Sequence, residues 1–251
     1  MGKFINAKTE LKKVGRWWVP DGDKMLTRKL GETNLEDVKY EKILRTTVSR
    51  GIKNKRTFID VGANAGIWTL PMSKQFEKVI SFEPDVRNME CLKLNTEGCN
   101  NITYQTEGLG EKDCISVLKQ SVKNCGNSFV IPTNQLEFVD EPKNGECKII
   151  WKREGAPDKV VEATALQIRS IDSYNYDNVD LIKIDTQGHE LPIIKGALKT
   201  IKRCQPWLCF ELGDKKHGAM GYTDKEMIKF ISKQGYTIER KTNTDCIMRP
   251  I

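Results

Sequence analysis

Solid apolar runs alternate along this chain with stretches of helical period. "TFIDV" (57–61), "VISFEP" (79–84), "NITYQTEG" (101–108), "VDLIKID" (179–185) and "PWLCFEL" (206–212) are short and almost wholly apolar, as strands covered on both faces require. "IWTLPMSKQF" (67–76) reads as a helix in spite of Pro71, "VRNMECLKLNTEG" (86–98) as a helix capped by Asp85, and "HELPIIKGALKTIKR" (189–203) as one continuous helix. "TDKEMIKFISKQG" (223–235) is amphipathic and closes on Gly235, after which "YTIER" and "DCIMR" form a final strand pair. This alternation predicts a doubly wound α/β sheet with an antiparallel terminal strand, and its ligands belong at the carboxyl ends of the strands.

The rhythm fails between residues 113 and 172. "SVLKQSV", "NSFVIP", "CKIIWKRE" and "VVEATAL" are strand-like, whereas "TNQLEFVDEPKNGE" is polar and rich in turn residues, so a β-rich insertion or flap is placed at about 132–160. Upstream, "GRWWVPDGDKML" (15–26) is expected to be a hairpin turning at Asp21-Gly22, followed by a charged helix, "NLEDVKYEKILRTTVSRG". Trp17 and Trp18 are assigned to packing of this added layer over lining a cleft. The organisation read from the sequence is a basic extension, 1–56, packed on one domain, 57–251.

Length and composition fit one soluble domain: 251 residues, 38% hydrophobic, 30% charged, and no apolar stretch long enough to span a bilayer. "MGKFINAKTE" shows no secretory hydrophobic region and carries Asn6 where a myristoylation signal needs Ser or Thr. Eight cysteines are scattered without a C-x-x-C pair, which speaks for free thiols in a reducing compartment and for a cytoplasmic protein. The formal charge of +7 lies wholly in the extension, where 15 Lys and Arg face 7 Asp and Glu, against 26 and 27 in the remainder. A solvated basic face is the plainer reading, and nucleic acid the lesser expectation.

Candidate chemistry gathers at the strand ends. "FIDVGANAGIWTL" leaves a strand through Asp60, Gly62, Asn64 and Gly66, and Glu83 ends the next strand 21 residues after Gly62, where an acid can hold ribose hydroxyls. Two glycines in place of the three of G-x-G-x-x-G, preceded by an acid that would repel a pyrophosphate, disfavour a nicotinamide dinucleotide and suit a cofactor bearing an ammonium and a sulfonium. A turn needed only for tight strand–helix packing is the plain alternative. In "LIKIDTQGHELPIIKGA" (181–197), Asp185, Gly188, His189 and Glu190 follow the fourth core strand. The other histidine, His217, follows the fifth strand after Glu211. Either histidine suits proton abstraction near neutral pH, oriented by Asp185 or Glu211, and a bland reading leaves His189 capping a helix.

"FIDVGANAGIWTL", "VISFEPDVRNMECLKLN" and "VDLIKIDTQGHELPIIKGA" together resemble the FkbM family of S-adenosylmethionine-dependent methyltransferases over about residues 57–212. The resemblance implies a class I (Rossmann-like) methyltransferase fold, S-adenosyl-L-methionine as cofactor, and methyl transfer to oxygen, often on sugar hydroxyls of glycans or secondary metabolites. By position, Asp60, Gly62, Asn64 and Gly66 match the cofactor loop, Glu83 with Pro84 the ribose-binding block, Glu107 the adenine end, and Asp185, Gly188, His189 and Glu190 the later block. Many family members have Glu at the position of Gln187, and its loss weakens any metal held by Asp185, Gln187 and His189, so no metal is expected. The mechanism implied is direct transfer, with His189, Asp185 or Glu211 taking the acceptor proton. An RNA ribose 2′-hydroxyl is the rival acceptor, but Lys183 and Asp185 are expected to face opposite ways, which leaves no Lys-Asp-Lys-Glu tetrad. A nicotinamide oxidoreductase and a non-catalytic module that keeps the fold are the remaining alternatives.

Overall fold

The computed structural model describes residues 10–31, 39–121, 128–142, 145–153, 156–213, 217–218 and 220–251. Residues 1–9, which carry the targeting reading, and 34–38, the start of the expected charged helix, lie outside the described residues, as does Cys125. Strands β1 (Leu11–Val14) and β2 (Trp17–Pro20) lead to helices α1 (Lys24–Gly31) and α2 (Lys39–Gly51). The core follows with β3 (Thr57–Val61), α3 (Thr69–Ser73), β4 (Lys78–Phe82), α4 (Val86–Asn95) and β5 (Ile102–Gln105). Next come β6 (Gly108–Leu109), β7 (Cys114–Lys119), β8 (Phe129–Ile131), β9 (Leu136–Phe138), β10 (Glu146–Arg153) and β11 (Ala156–Arg169). The chain then returns to the core through β12 (Val179–Ile184), α5 (Glu190–Lys195), α6 (Leu198–Cys204), β13 (Trp207–Glu211), α7 (Asp224–Ser232), β14 (Tyr236–Lys241) and β15 (Asp245–Pro250).

The main sheet has the order β14-β15-β13-β12-β3-β4-β5. Its strands from β13 to β5 are parallel, and β15 enters antiparallel to both β13 and β14. All residues of β3 and β12 are buried, because helices cover both faces. One face packs Ile59, Ile80, Ile182 and Phe210 on α5 to α7, and the other packs Phe58, Val79 and Leu181 on α2 and α3. Since β15 runs against its neighbours, it begins at the end where they finish, and the β14–β15 turn stands beside the parallel carboxyl ends.

The irregular stretch forms a sheet of its own, ordered β8-β7-β11-β10-β9, with β6 alongside β11. Its small core of Val117, Ile131, Cys147 and Ile149 gains Phe129, Leu136, Phe138 and Trp151 at its margin. The segment read as polar and turn-rich holds β9, because Leu136 and Phe138 alternate inward around Glu137 and pair with Trp151 and Ile149.

Three element expectations are corrected. The N-terminal hairpin turns at Gly15-Arg16, with Val14 opposite Trp17. Asp21-Gly22 lies at its open end, where the Asp21 N–H donates to Glu10 O, and Asp23 Oδ1 accepts the Leu26 N–H at 2.8 Å as the cap of α1. The helix expected at 67–76 contracts to α3, whose first turn takes Pro71 at no cost in hydrogen bonds. The segment 189–203 divides at Gly196 into α5 and α6. There the backbone passes so close to Gly110 that a Cβ would lie 2.0 Å from Gly110 O.

Trp17 is buried with Val19, Leu26, Leu30, Ala65 and Cys91, and Trp18 packs at the edge of this cluster. Asn95 on α4 fixes the extension by accepting the Trp18 N–H at 2.7 Å and donating to Trp18 O and Ala65 O. Both tryptophans thus serve packing. The seven described cysteines are free thiols. Among the described residues no helix is long and apolar enough to cross a membrane.

Candidate functional site

A cavity of about 680 Å³ opens at the carboxyl ends of the parallel strands. Its floor comes from Gly62 and Asn64 after β3, Glu83 and Pro84 after β4, Glu107 after β5, Asp185 to Gln187 after β12, and Glu211 closing β13. Three further elements wall it: Met25 and Leu26 of α1, Leu118 with Ser128 to Val130 of the second sheet, and the β14–β15 turn, Thr242 to Asp245. Of the residues expected at the site, Gly62, Asn64, Glu83, Pro84, Glu107, Asp185, His189 and Glu211 line this space, while Asp60 and Gly66 do not.

Glu83 organises the first half. Its Oε2 accepts the Asn64 N–H at 2.8 Å, and Oε1 accepts the Asp85 N–H at 2.9 Å and Asn88 Nδ2 at 3.4 Å. Burial, reinforced by the nearby Asp85 carboxylate, pushes its pKa up to about 7 against those three donors. The loop it ties down is left-handed at Gly62 (φ 75°) and Asn64 (φ 51°). Gly62 is obligatory by space as well, because a Cβ there would sit 1.9 Å from Asp185 O. Overhead, Ser128 Oγ donates to Asp85 Oδ2 at 3.2 Å, and Arg87 pairs with Asp85 while donating to Ser121 O, so the second sheet is fastened across this half of the cavity.

Asp60, expected to face a cationic ligand, is completely buried beneath the loop. Its Oδ2 accepts Thr69 Oγ1 at 2.7 Å and its Oδ1 lies 3.3 Å from Lys183 Nζ. Lys183 Nζ also donates to Gly62 O at 2.9 Å and approaches Asp185 Oδ2 at 3.9 Å. The expectation that Lys183 and Asp185 face apart is therefore corrected: residues two apart share a face of a strand. That spacing was the legible signal for Lys183 as a cavity residue.

In the second half, Gln187 Nε2 donates to Asp185 Oδ1 at 3.0 Å and to Glu211 Oε2 at 3.2 Å, bridging two carboxylates from neighbouring strands. Gln187 and Gly188 are both left-handed, φ 61° and 114°, and this turn aims the amide inward. His189 follows at the start of α5, with Nδ1 shut away from solvent and without a hydrogen-bond partner. Burial lowers its pKa and favours the neutral ring, with Glu190 opposing weakly. Gly110 makes room for it, since a Cβ there would lie 3.4 Å from His189 Nε2.

His217 is not brought to the cavity. It is fully buried behind the 186–190 turn, its Nε2 2.9 Å from Glu190 Oε2 and its Nδ1 against Asp224. Glu190 is likewise internal. Sequence reasoning placed a flap in the irregular stretch but missed which of its residues wall the cavity, and it missed the Thr242 to Asp245 turn. The latter was implicit in an antiparallel last strand, whereas nothing in the sequence reports the side to which the second sheet folds.

The Methyltransferase FkbM domain matches residues 60–238 of this sequence. The chain belongs to the FkbM methyltransferase family. "Methyltransferase 1" of Beauveria bassiana is 26% identical over 145 residues, and "Methyltransferase sdnD" of Sordaria araneosa 25% identical over 153. The match takes in 55% of this chain and 57% and 59% of those proteins, so it spans less than two thirds of their length. Among solved structures, an FkbM methyltransferase from Methylobacillus flagellatus aligns with 78% of this chain and 43% of its own at 18% identity and a TM-score of 0.47. The magnesium protoporphyrin IX methyltransferase of Synechocystis with bound SAM aligns with 91% of this chain and 85% of its own, at 9% identity and a TM-score of 0.48. The family match begins on Asp60 and reaches into β14, so it contains every strand-end residue described above.

Proposed function

We propose that this FkbM chain transfers a methyl group from S-adenosylmethionine to the oxygen of a sugar-like hydroxyl on a glycan or small metabolite, in a reducing, cytoplasmic setting. The observation that carries this is a single cavity joining a buried carboxylate at the end of β4 to a neutral histidine and a bridged carboxylate pair at the ends of β12 and β13. The residues present fit an adenosyl cofactor: Glu83 keeps lone pairs for ribose hydroxyls, Gly62 and Asn64 bare their backbone, and Glu107 stands at the adenine end. When bound, the cofactor supplies a methyl group activated by its sulfonium.

The chain's own residues supply the rest. Asp185, Gln187 and Glu211 present acceptor and donor groups that orient a hydroxylic substrate. His189, neutral at physiological pH, is the base for the acceptor proton, with Asp185 as the nearby alternative. Leu118, Phe129 and Val130 overhead exclude water. Met25 and Leu26 of the extension and Leu118 with Ser128 to Val130 of the second sheet frame the acceptor entrance and set its specificity.

The test couples two assays. His189→Ala should lower methyl transfer to a glycan and nucleoside panel by about 10²–10⁴-fold, with S-adenosylhomocysteine affinity within about twofold of the parent. Unchanged turnover removes His189 from the chemistry. A second acceptor, the ribose 2′-hydroxyl of RNA, is favoured by Lys183 and Asp185 sharing a face. Transfer to RNA that falls steeply with salt would establish it over the sugar reading. No S-adenosylhomocysteine binding would leave a module that keeps the fold without the chemistry.

A further inference from the structure

The turn that carries Gln187 and His189 is held from behind by groups the proposed chemistry does not use. Glu190 Oε1 accepts the Thr186 N–H at 2.9 Å, Thr186 Oγ1 at 3.2 Å and the Gly188 N–H at 3.3 Å, so one carboxylate oxygen ties together the backbone between Asp185 and His189. Its other oxygen faces His217 Nε2 at 2.9 Å and the Tyr222 hydroxyl at 3.3 Å. That hydroxyl lies 2.8 Å from Gly188 O and accepts the Leu191 N–H at 3.3 Å, fastening the turn to α5 a second time. The Tyr222 ring stacks on His217, with centroids 4.7 Å apart. On the far side His217 Nδ1 meets Asp224 Oδ1, which also accepts the Gly213 N–H at 2.9 Å, two residues past Glu211.

Both ring nitrogens of His217 thus face carboxylates, Glu190 on α5 and Asp224 on α7, and the third neighbour, Tyr222, presents its ring face. Each nitrogen can donate to its carboxylate only if the ring is an imidazolium, since a neutral ring turns one lone pair toward a carboxylate. A buried charge with two counter-charges is costly to disturb, because removing one member strands the others away from water. The cluster spans the connection after β12, which carries His189 to the cavity, and the start of the chain after β13, directly behind Glu211.

We propose that His217 is a positioning residue: a buried imidazolium that keeps Glu190 anionic and, through Glu190 and Tyr222, holds the 186–190 turn in the form that presents Gln187 and His189 to the acceptor. This rests on the reading of the cavity as the acceptor site, but its test does not require turnover.

The chain has two histidines, so ¹⁵N-histidine labelling gives two ring patterns, assigned by the His189→Ala variant. In the parent, His217 should show two protonated nitrogens from pH 6 to pH 8, and His189 a neutral ring. Tyr222→Phe removes only a hydroxyl and Asp224→Asn one counter-charge; in either, the His189 ring signals should shift and its titration midpoint should move by about half a unit or more. Added S-adenosylhomocysteine should still bind within about twofold, because Glu83 and its loop are untouched. A neutral His217 at pH 7, or His189 signals that overlay the parent's in both variants, overturns the proposal, even if the variants unfold more easily. If His189→Ala leaves turnover intact while these shifts occur, the assignment of His189 as base fails and the clamp stands.

Discussion

If Glu83 takes the ribose hydroxyls, cofactor binding is coupled to a proton. In the free protein burial and Asp85 raise its pKa to about 7, so near pH 6 the group is mostly protonated. Ribose hydroxyls donate to the carboxylate and favour its charged form, so binding expels that proton: about 0.9 proton at pH 6, about 0.5 at pH 7 and about 0.1 at pH 8. If only the anion binds, affinity for S-adenosylhomocysteine should fall about tenfold between pH 8 and pH 6. The assay is titration calorimetry at each pH in two buffers of different ionisation enthalpy, whose difference counts the protons. Stability carries the same linkage with the opposite face. A carboxyl raised in the fold contributes most below its unfolded value of 4.5, and that contribution is lost as pH rises through about 7. The loss amounts to about 3 kcal/mol, and saturating ligand should offset it. Buffer-independent heats together with pH-independent affinity between pH 6 and pH 8 would refute the assignment of Glu83 to the cofactor.

Asp60→Asn should cost about 3–5 kcal/mol in urea unfolding, because Lys183 keeps its charge under the Gly62 loop without its buried partner; a loss below about 1 kcal/mol would mean that water already screens the pair. Gly62→Ala places a Cβ 1.9 Å from Asp185 O at a positive φ and should abolish ligand binding or soluble expression; a soluble variant with parental affinity would show that the loop has room. Gln187→Glu replaces the amide between Asp185 and Glu211 with a third carboxylate, so the melting temperature should drop in chelator and recover with millimolar Mg²⁺ or Ca²⁺, and no recovery would show that the three oxygens do not converge. His189 is kept neutral by burial, so its share of stability is present above its unfolded value of 6.5 and lost as pH falls through its lower folded value; His189→Gln should flatten that part of the acid limb in pH-dependent melts.

Much of the architecture was legible from the sequence because its signals are local. Runs such as "TFIDV" and "VDLIKI" can be satisfied only by strands buried on both faces, and all of their residues are buried. Asp85 caps α4 through the Arg87 N–H, as a short acceptor before a helical period should. The strand-end rule then gathered Glu83, Glu107, Asp185 and Glu211 at one cavity without any knowledge of distance. What sequence could not give depends on contacts between distant segments. Asp60 and Glu83 are both acids near strand ends, yet one is sealed beneath the loop against Lys183 and the other stands at the cavity, a difference set by depth along the sheet, since Asp60 lies inside β3 level with Ser81 whereas Glu83 follows the last residue of β4. His189 and His217 looked equivalent; the path of the chain after β13 tucks one behind the turn that displays the other. The break at Gly196 follows from its backbone meeting that of Gly110, and the roof over Glu83 from the Ser128 hydroxyl reaching Asp85, each from far along the chain. Periodicity and turn chemistry act within a few residues and so determined the elements and the end of the sheet that works, whereas burial and charge pairing are properties of packed neighbours, and only the tertiary structure decided which polar groups face the ligand.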